Sequence, residues 1–347
     1  MFTDRRANSL QTRRVRQAWP ADRPFKILAL DGGGIRGIYT AELLRLCERA
    51  FGKGEGIANY FDMIAGTSTG GIIALGLGDG MSAEEIVSFY SDDGRHIFPP
   101  IPKRFLGKAR RFGAWISGTK LDHEELERAL KDRFKDRLVG HSGARLVVPS
   151  FMMPKTEIAV IKTDHHADFR SDHLTPMWKA ARATSAAPTY LKGLEHTESG
   201  KIFIDGGVWA NNPVMVALVD AVTAYELSFD QIEVLSIGTG NAPFELKSAS
   251  VFKGLWGWRE IIKAAMFLTT DNATAQVKLL LGPERCLRIE PGDEAAKIEM
   301  DDYDAAFALL PDRALKDFEM NAEALANFFS QPVLPRERYY TQHLVGL

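Results

Sequence analysis

The sequence predicts an α/β protein with a mostly parallel central sheet flanked by helices. Three observations predict it. Apolar runs of strand length alternate with 3.6-periodic helical patterns over most of the 347 residues, as in strands joined by helical crossovers. The runs are continuous in apolar character rather than alternating, which suits strands covered on both faces. Three of them stop at Asp31, at the serine turn around Ser68 and at Asp205, on the rim where such sheets bind ligands. The length allows one large domain, read as residues 25–347, behind a basic arm at residues 1–24.

The elements follow in order. The arm carries Arg5, Arg6, Arg13, Arg14, Arg16 and Arg23 against Asp4 and Asp22. It reads as a solvated, partly disordered segment; the functional alternative is an anion-binding or subunit-contacting arm, and with it a homo-oligomer. Phe25 to Leu30 is an apolar strand that runs into Asp31-Gly32-Gly33-Gly34-Ile35-Arg36-Gly37. A helix from Ile38 to Phe51 follows, its stripe made by Leu43, Leu44, Leu46, Cys47 and Ala50. Phe61 to Ala65 is a short strand, and Ile72 to Leu77 begins the next helix. Residues 82–91 form a helix capped by Ser82, with Glu84 and Glu85 favourably placed in its first turn. Residues 97–117 hold five cations, four aromatics and three prolines, the composition of a lid or an interfacial segment.

Beyond it, Leu121 to Leu138 is helical and strands are expected at 146–150 and 157–163. A helix starts at Pro176, and a strand at 201–204 meets Asp205-Gly206-Gly207. Asn212-Pro213 opens a helix to Leu227, with asparagine as cap and proline in the first turn. A strand at 232–237, a helix at 258–281, a strand at 287–289 and helices around 303–309 and 312–329 complete the chain.

Composition narrows the function. A net charge of −2 argues against a partner made of nucleic-acid polymer. The two cysteines, Cys47 and Cys286, read as buried thiols and suit a cytoplasmic protein. The arginine-rich start lacks the apolar core of a signal peptide, and no apolar run reaches the ~18 residues of a membrane span.

The chemistry centres on Gly66-Thr67-Ser68-Thr69-Gly70. A serine between strand and helix sits on a strained turn with its hydroxyl clear of the sheet, and Gly66 and Gly70 let strand and helix pass closely. The helix behind it aims free N–H groups at the site. A hydroxyl nucleophile also needs a base and donors for the developing oxyanion. Gly32-Gly33-Gly34 fits a donor loop, and it fits equally a phosphate-cradling dinucleotide fingerprint through Gly32, Gly34 and Gly37. That fingerprint wants an acidic residue at the end of a second strand, whereas Glu55 lies in a glycine-rich loop. No histidine follows Asp205 except His343, near the terminus. His165-His166 reads as a polar hairpin tip rather than a metal site, and no metal or cofactor is expected. Asp205, followed by Gly206 and Gly207, is left as the candidate base, provided its surroundings raise its proton affinity.

Asp31-Gly-Gly-Gly-Ile-Arg-Gly37, Gly66-Thr-Ser-Thr-Gly70, Ala183-Thr-Ser-Ala-Ala-Pro188 and Asp205-Gly-Gly207, in that order, resemble the patatin-like phospholipases. The resemblance implies a three-layer α/β/α fold. It implies a Ser68–Asp205 dyad without histidine, an oxyanion hole at Gly32, Gly33 and Gly34, and Arg36 as a support of that loop. It implies phospholipase A-type hydrolysis of membrane phospholipid by a peripherally bound enzyme, with no metal. A narrower resemblance, in the Asp31 to Tyr39 block and the compact length, is to bacterial anti-phage effector phospholipases switched on by a cyclic di- or oligonucleotide at the inner membrane. Lys103 to Arg111 and the N-terminal arginines are the candidate nucleotide or lipid contacts, on charge alone. The competing readings are a constitutive lipase, general esterase or serine peptidase, and a nucleotide-binding module built on the glycine loop.

Overall fold

A computed structural model describes residues 14–99, 121–188, 190–196, 199–241 and 254–344, with side chains in the last stretch from residue 264 onward. Residues 1–13 of the basic arm and residues 100–117 of the cationic stretch lie outside the described residues.

Eight strands form one sheet: β1 (Phe25–Leu30), β2 (Met63–Gly66), β3 (Arg145–Met153), β4 (Glu157–Lys162), β5 (Leu194–His196), β6 (Lys201–Asp205), β7 (Ile232–Ile237) and β8 (Cys286–Ile289). The order is β5-β6-β3-β2-β1-β7-β8, with β4 also on β3. The run β3-β2-β1-β7-β8 is parallel, while β4, β5 and β6 join antiparallel, making the sheet mixed. All six residues of β1 are buried, as a strand covered on both faces should be. One apolar cluster lies on each face: α1 (Gly37–Phe51) packs on one side, α6 (Val214–Ala224) and α7 (Gly254–Leu281) on the other. The remaining principal helices are α2 (Thr69–Gly78), α3 (Ala83–Ser88), α4 (His123–Phe134), α5 (Met177–Thr184) and α8 (Tyr303–Phe328).

The register explains how distant residues meet. Val147 of β3 pairs with Ala65 of β2 on one edge and Lys162 of β4 on the other. Ser150 pairs with Ala159 of β4 and, on the edge β2 has left, with Asp205 of β6. So β2 and β6 share an edge of β3 and run toward each other. Ala65 and Asp205, the last residue each strand pairs on that edge, lie across three residues of β3, ~10 Å at ~3.3 Å per residue, and the serine turn begins in that gap.

Several expectations are corrected. Residues 82–91 are not one α-helix: the Ser82–Glu85 capping box starts α3 as expected, but Phe89–Asp93 widens into a π-turn before a last turn at Gly94–Ile97. Pro311 does not divide two helices; α8 runs through it, because its packing against α1 outweighs one missing N–H bond. Residues 14–23, although mostly exposed, are docked on the domain. Arg14 pairs with Asp220, Arg23 pairs with Asp62 at 2.7 Å, and Trp19 packs edge-on to Phe25. β5, three residues long, carries no sequence signal of its own.

Candidate active site

Ser68 ends the strand-to-turn passage at φ 56°, ψ −122°, backbone that non-glycine residues rarely adopt. The glycines around it are required by contact. A methyl on Gly66 would lie 2.1 Å from the Gly70 carbonyl oxygen, and one on Gly70 would lie 2.3 Å from that of Leu30. The turn is held by its neighbours: the Ser68 N–H donates to Thr184 Oγ1 at 3.0 Å, and Thr184 donates to the Pro149 carbonyl at 2.6 Å. Thr67 Oγ1 donates to the Ala210 carbonyl at 2.6 Å.

Ser68 and Asp205 are both buried and line the same cleft, with the serine side chain close enough to act on the Asp205 carboxyl. Asp205 also accepts the Gly207 N–H at 2.7 Å. Burial pushes the Asp205 carboxyl up to about 6; Ser68 and the Gly207 N–H oppose the rise but do not cancel it. Gly206 lets β6 turn against β3, since a methyl there would lie 2.4 Å from the Pro149 carbonyl oxygen.

The glycine loop lies beside the pair, and it departs from expectation at one residue. The Gly32 N–H donates to the Asn211 carbonyl at 3.1 Å, so it is not free to receive an oxyanion. The Gly33 and Gly34 N–H groups have no acceptor among the described residues, and both glycines line the cleft. Gly34 adopts φ +60°. Arg36 holds the loop from beneath, donating to the Gly33 carbonyl at 3.4 Å and to that of Gly240 at 2.9 Å. Asp31 follows β1 at the carboxyl rim but does not line the cleft. It is buried in a two-pronged pair with Arg288, at 2.9 and 2.5 Å, which strand pairing of β7 with β8 brings alongside β1.

Ser68, Thr69, Asp205 and Gly207 open into a cleft of about 940 Å³, counting the part exposed to solvent. Its walls include Ile72, Phe89, Phe98, Leu126, Leu191 and Met300, and Asp205 is the one charged side chain among the described residues that line it. None of the eight histidines does. His343 is exposed in a turn near the C-terminus. His165 and His166 are not a hairpin tip: both are buried, and His165 Nε2 meets Asp220 Oδ2 at 2.8 Å within a network that includes Lys162. Among the described residues no group of three or more His, Cys, Asp or Glu side chains has the geometry of a metal site. No described helix is long and apolar enough to cross a membrane.

Sequence reading missed Asn211, Arg288 and Thr239, whose Oγ1 donates to the Gly32 carbonyl at 2.7 Å; their contacts arise only once the strands pair. It singled out the Ala183–Pro188 stretch without finding that Thr184 braces the serine turn.

The cleft thus brings together a serine on a strained strand-to-helix turn, a buried carboxylate and two glycine amides without an acceptor among the described residues. The chain belongs to the patatin-like phospholipase family, whose model matches residues 28–218, and is in that class a lipid acyl hydrolase. Its relatives include a cGAMP-activated phospholipase of Vibrio cholerae, 30% identical over 337 residues, covering 88% of this chain and 95% of that one. A cGAMP-activated phospholipase of Pseudomonas aeruginosa is 35% identical, covering 73% of this chain and 75% of that one. Another from Escherichia coli is 30% identical, covering 91% and 96% respectively.

Proposed function

We propose that Ser68 and Asp205 are the nucleophile and base of a phospholipase A-type reaction on membrane phospholipid. The observation that carries this is their meeting, both buried, in the wall of one apolar cleft, where an acyl chain is at home and an aqueous, polar substrate is not. Asp205 takes the Ser68 proton as Oγ attacks the ester carbonyl. The Gly33 and Gly34 amides receive the oxyanion, each such donor being worth ~2.7–4 kcal/mol of barrier. The intermediate expels the lysophospholipid alkoxide, which takes the proton from Asp205. Water then attacks the acyl-enzyme, giving its proton to Asp205 and finally to Ser68 Oγ, and the fatty acid leaves.

The regulation we propose is latency relieved by a cyclic dinucleotide, in a protein that works from the cytoplasm on the inner membrane. Three relatives that align over most of the chain carry cGAMP activation in their names. The test is release of fatty acid from phospholipid vesicles with and without cGAMP. Loss of release in both Ser68→Ala and Asp205→Asn is expected, and undiminished turnover in either rejects the dyad. Full activity without cGAMP and no response to it rejects the regulation alone.

A further inference from the structure

Asn211 carries an acceptor that the reaction just described does not use. The residue is buried, 7% exposed, and its Oδ1 has no hydrogen-bond donor among the described residues. Its Nδ2 donates to Thr270 Oγ1 at 3.2 Å, which anchors the other end of the amide. Buried acceptors left without a partner are uncommon and costly. The position of this one is specific. A methyl group on Gly207 would lie 3.0 Å from Asp205 Oδ1, 3.2 Å from Asn211 Oδ1 and 3.4 Å from Met266 Cε. Gly207 faces the cleft. The direction in which a side chain would project at residue 207 is therefore flanked by two oxygen acceptors, one of them on the proposed base, with an apolar methyl as the third neighbour.

We propose that Asn211 is the positioning residue for the water that hydrolyses the acyl-enzyme, a role that rests on Ser68 and Asp205 acting as described above. A water molecule has two protons to donate, and two acceptors fix its lone pairs in direction. One proton points to Asn211 Oδ1 and stays. The other points to Asp205 Oδ1 and is transferred as the water oxygen bonds to the acyl carbon. The C–Oγ bond then breaks, Ser68 Oγ takes the proton back from Asp205, and the fatty acid departs. Glycine at 207 is needed because any side chain would occupy the water's place. The Asn211 side chain has no part in the attack of Ser68, so its loss slows the second half of the reaction and spares the first.

The test uses the full chain with cGAMP present and a p-nitrophenyl acyl ester, whose good leaving group makes acylation fast. Asn211→Leu keeps the volume and removes the acceptor, and Gly207→Ala keeps the helical backbone and fills the water's place. The expected result for each is a p-nitrophenol burst of about one per enzyme, a steady-state rate at least about tenfold below wild type, and a Ser68 acyl adduct that accumulates in the intact mass. Burst and steady-state rates falling together would mean a merely structural role and overturn the proposal, as would unchanged kinetics in Asn211→Leu. Ser68→Ala must give neither burst nor adduct; if it retains turnover, the dyad itself fails, and this outcome is distinct from the other two.

Discussion

Replacing Asp205 by asparagine should abolish activity and at the same time make the protein more stable, in a pH-dependent way. The carboxyl titrates at about 6 in the fold against 3.8 in a free chain because it is buried. The folded state thus holds a proton between those values that the unfolded chain has released. By linkage, the group's contribution to stability is fully present below pH 3.8 and is lost as pH rises to about 6. At ~1.36 kcal/mol per pH unit the loss amounts to ~3 kcal/mol above pH 7. An asparagine has no such penalty, and it still accepts the Gly207 N–H. Urea unfolding of Asp205→Asn and wild type at pH 7.5 should differ by about 3 kcal/mol in favour of the variant, and by under about 1 kcal/mol near pH 4. For a chain of this size that corresponds to about 4 °C in Tm at the higher pH. Equal stability at pH 7.5, or a gain independent of pH, would show that the fold does not hold this carboxyl against its own ionisation. The case for a carboxylate strong enough to serve as base would then fail.

Other outcomes follow from the same geometry. The rate of ester hydrolysis should rise with pH through about 6, as Asp205 loses its proton, with a single-proton slope below that point; a flat profile from pH 5 to 7 would contradict its role. Ser68→Gly should be more stable than Ser68→Ala by ~1–2 kcal/mol in denaturant, since glycine tolerates the backbone at φ 56° and alanine does not. Gly33→Ala should cripple turnover, because the added methyl would lie 2.2 Å from Thr239 Oγ1 and the loop must move its amides to relieve it. Asp164→Asn should cost ~3–5 kcal/mol, by leaving the buried Arg336 guanidinium, 2.8 Å away, without its counter-charge. Burial opposes ionisation of Asp164, yet Arg336, the Tyr340 amide and Thr341 hold its carboxyl at about 2. The wild type should therefore lose this stabilisation in acid, as pH falls toward 2, and Asp164→Asn should not.

What was legible in the sequence was local. The β1 run, the serine turn and Asp205 each stand within a few residues of a glycine that their backbone requires, so the motif and its chemistry can be read together. The Ser82–Glu85 cap is visible for the same reason. Pairings made by topology were not visible. The Asp31–Arg288 pair depends on β8 lying beside β7, and the occupied Gly32 amide depends on Asn211 passing over the loop. His165 was misplaced on a hairpin tip because polar residues crowd its neighbourhood in sequence. In the fold those polar residues are one another's partners, and burial pushes the imidazole down to about 4 despite Asp220. At Pro311 a local rule was overridden by packing along the whole of α8.

The head-on meeting of β2 and β6 on one edge of β3 bears on when the proposed pair is completed. A chain emerging from the ribosome presents residue 68 long before residue 205, and the later segment must dock against a strand already in place. A chain in which only β1, β2 and β3 have paired would hold Ser68 without the base proposed for it. With the roles proposed for these two residues, the nucleophile gains its base only after about three fifths of the chain has been synthesised.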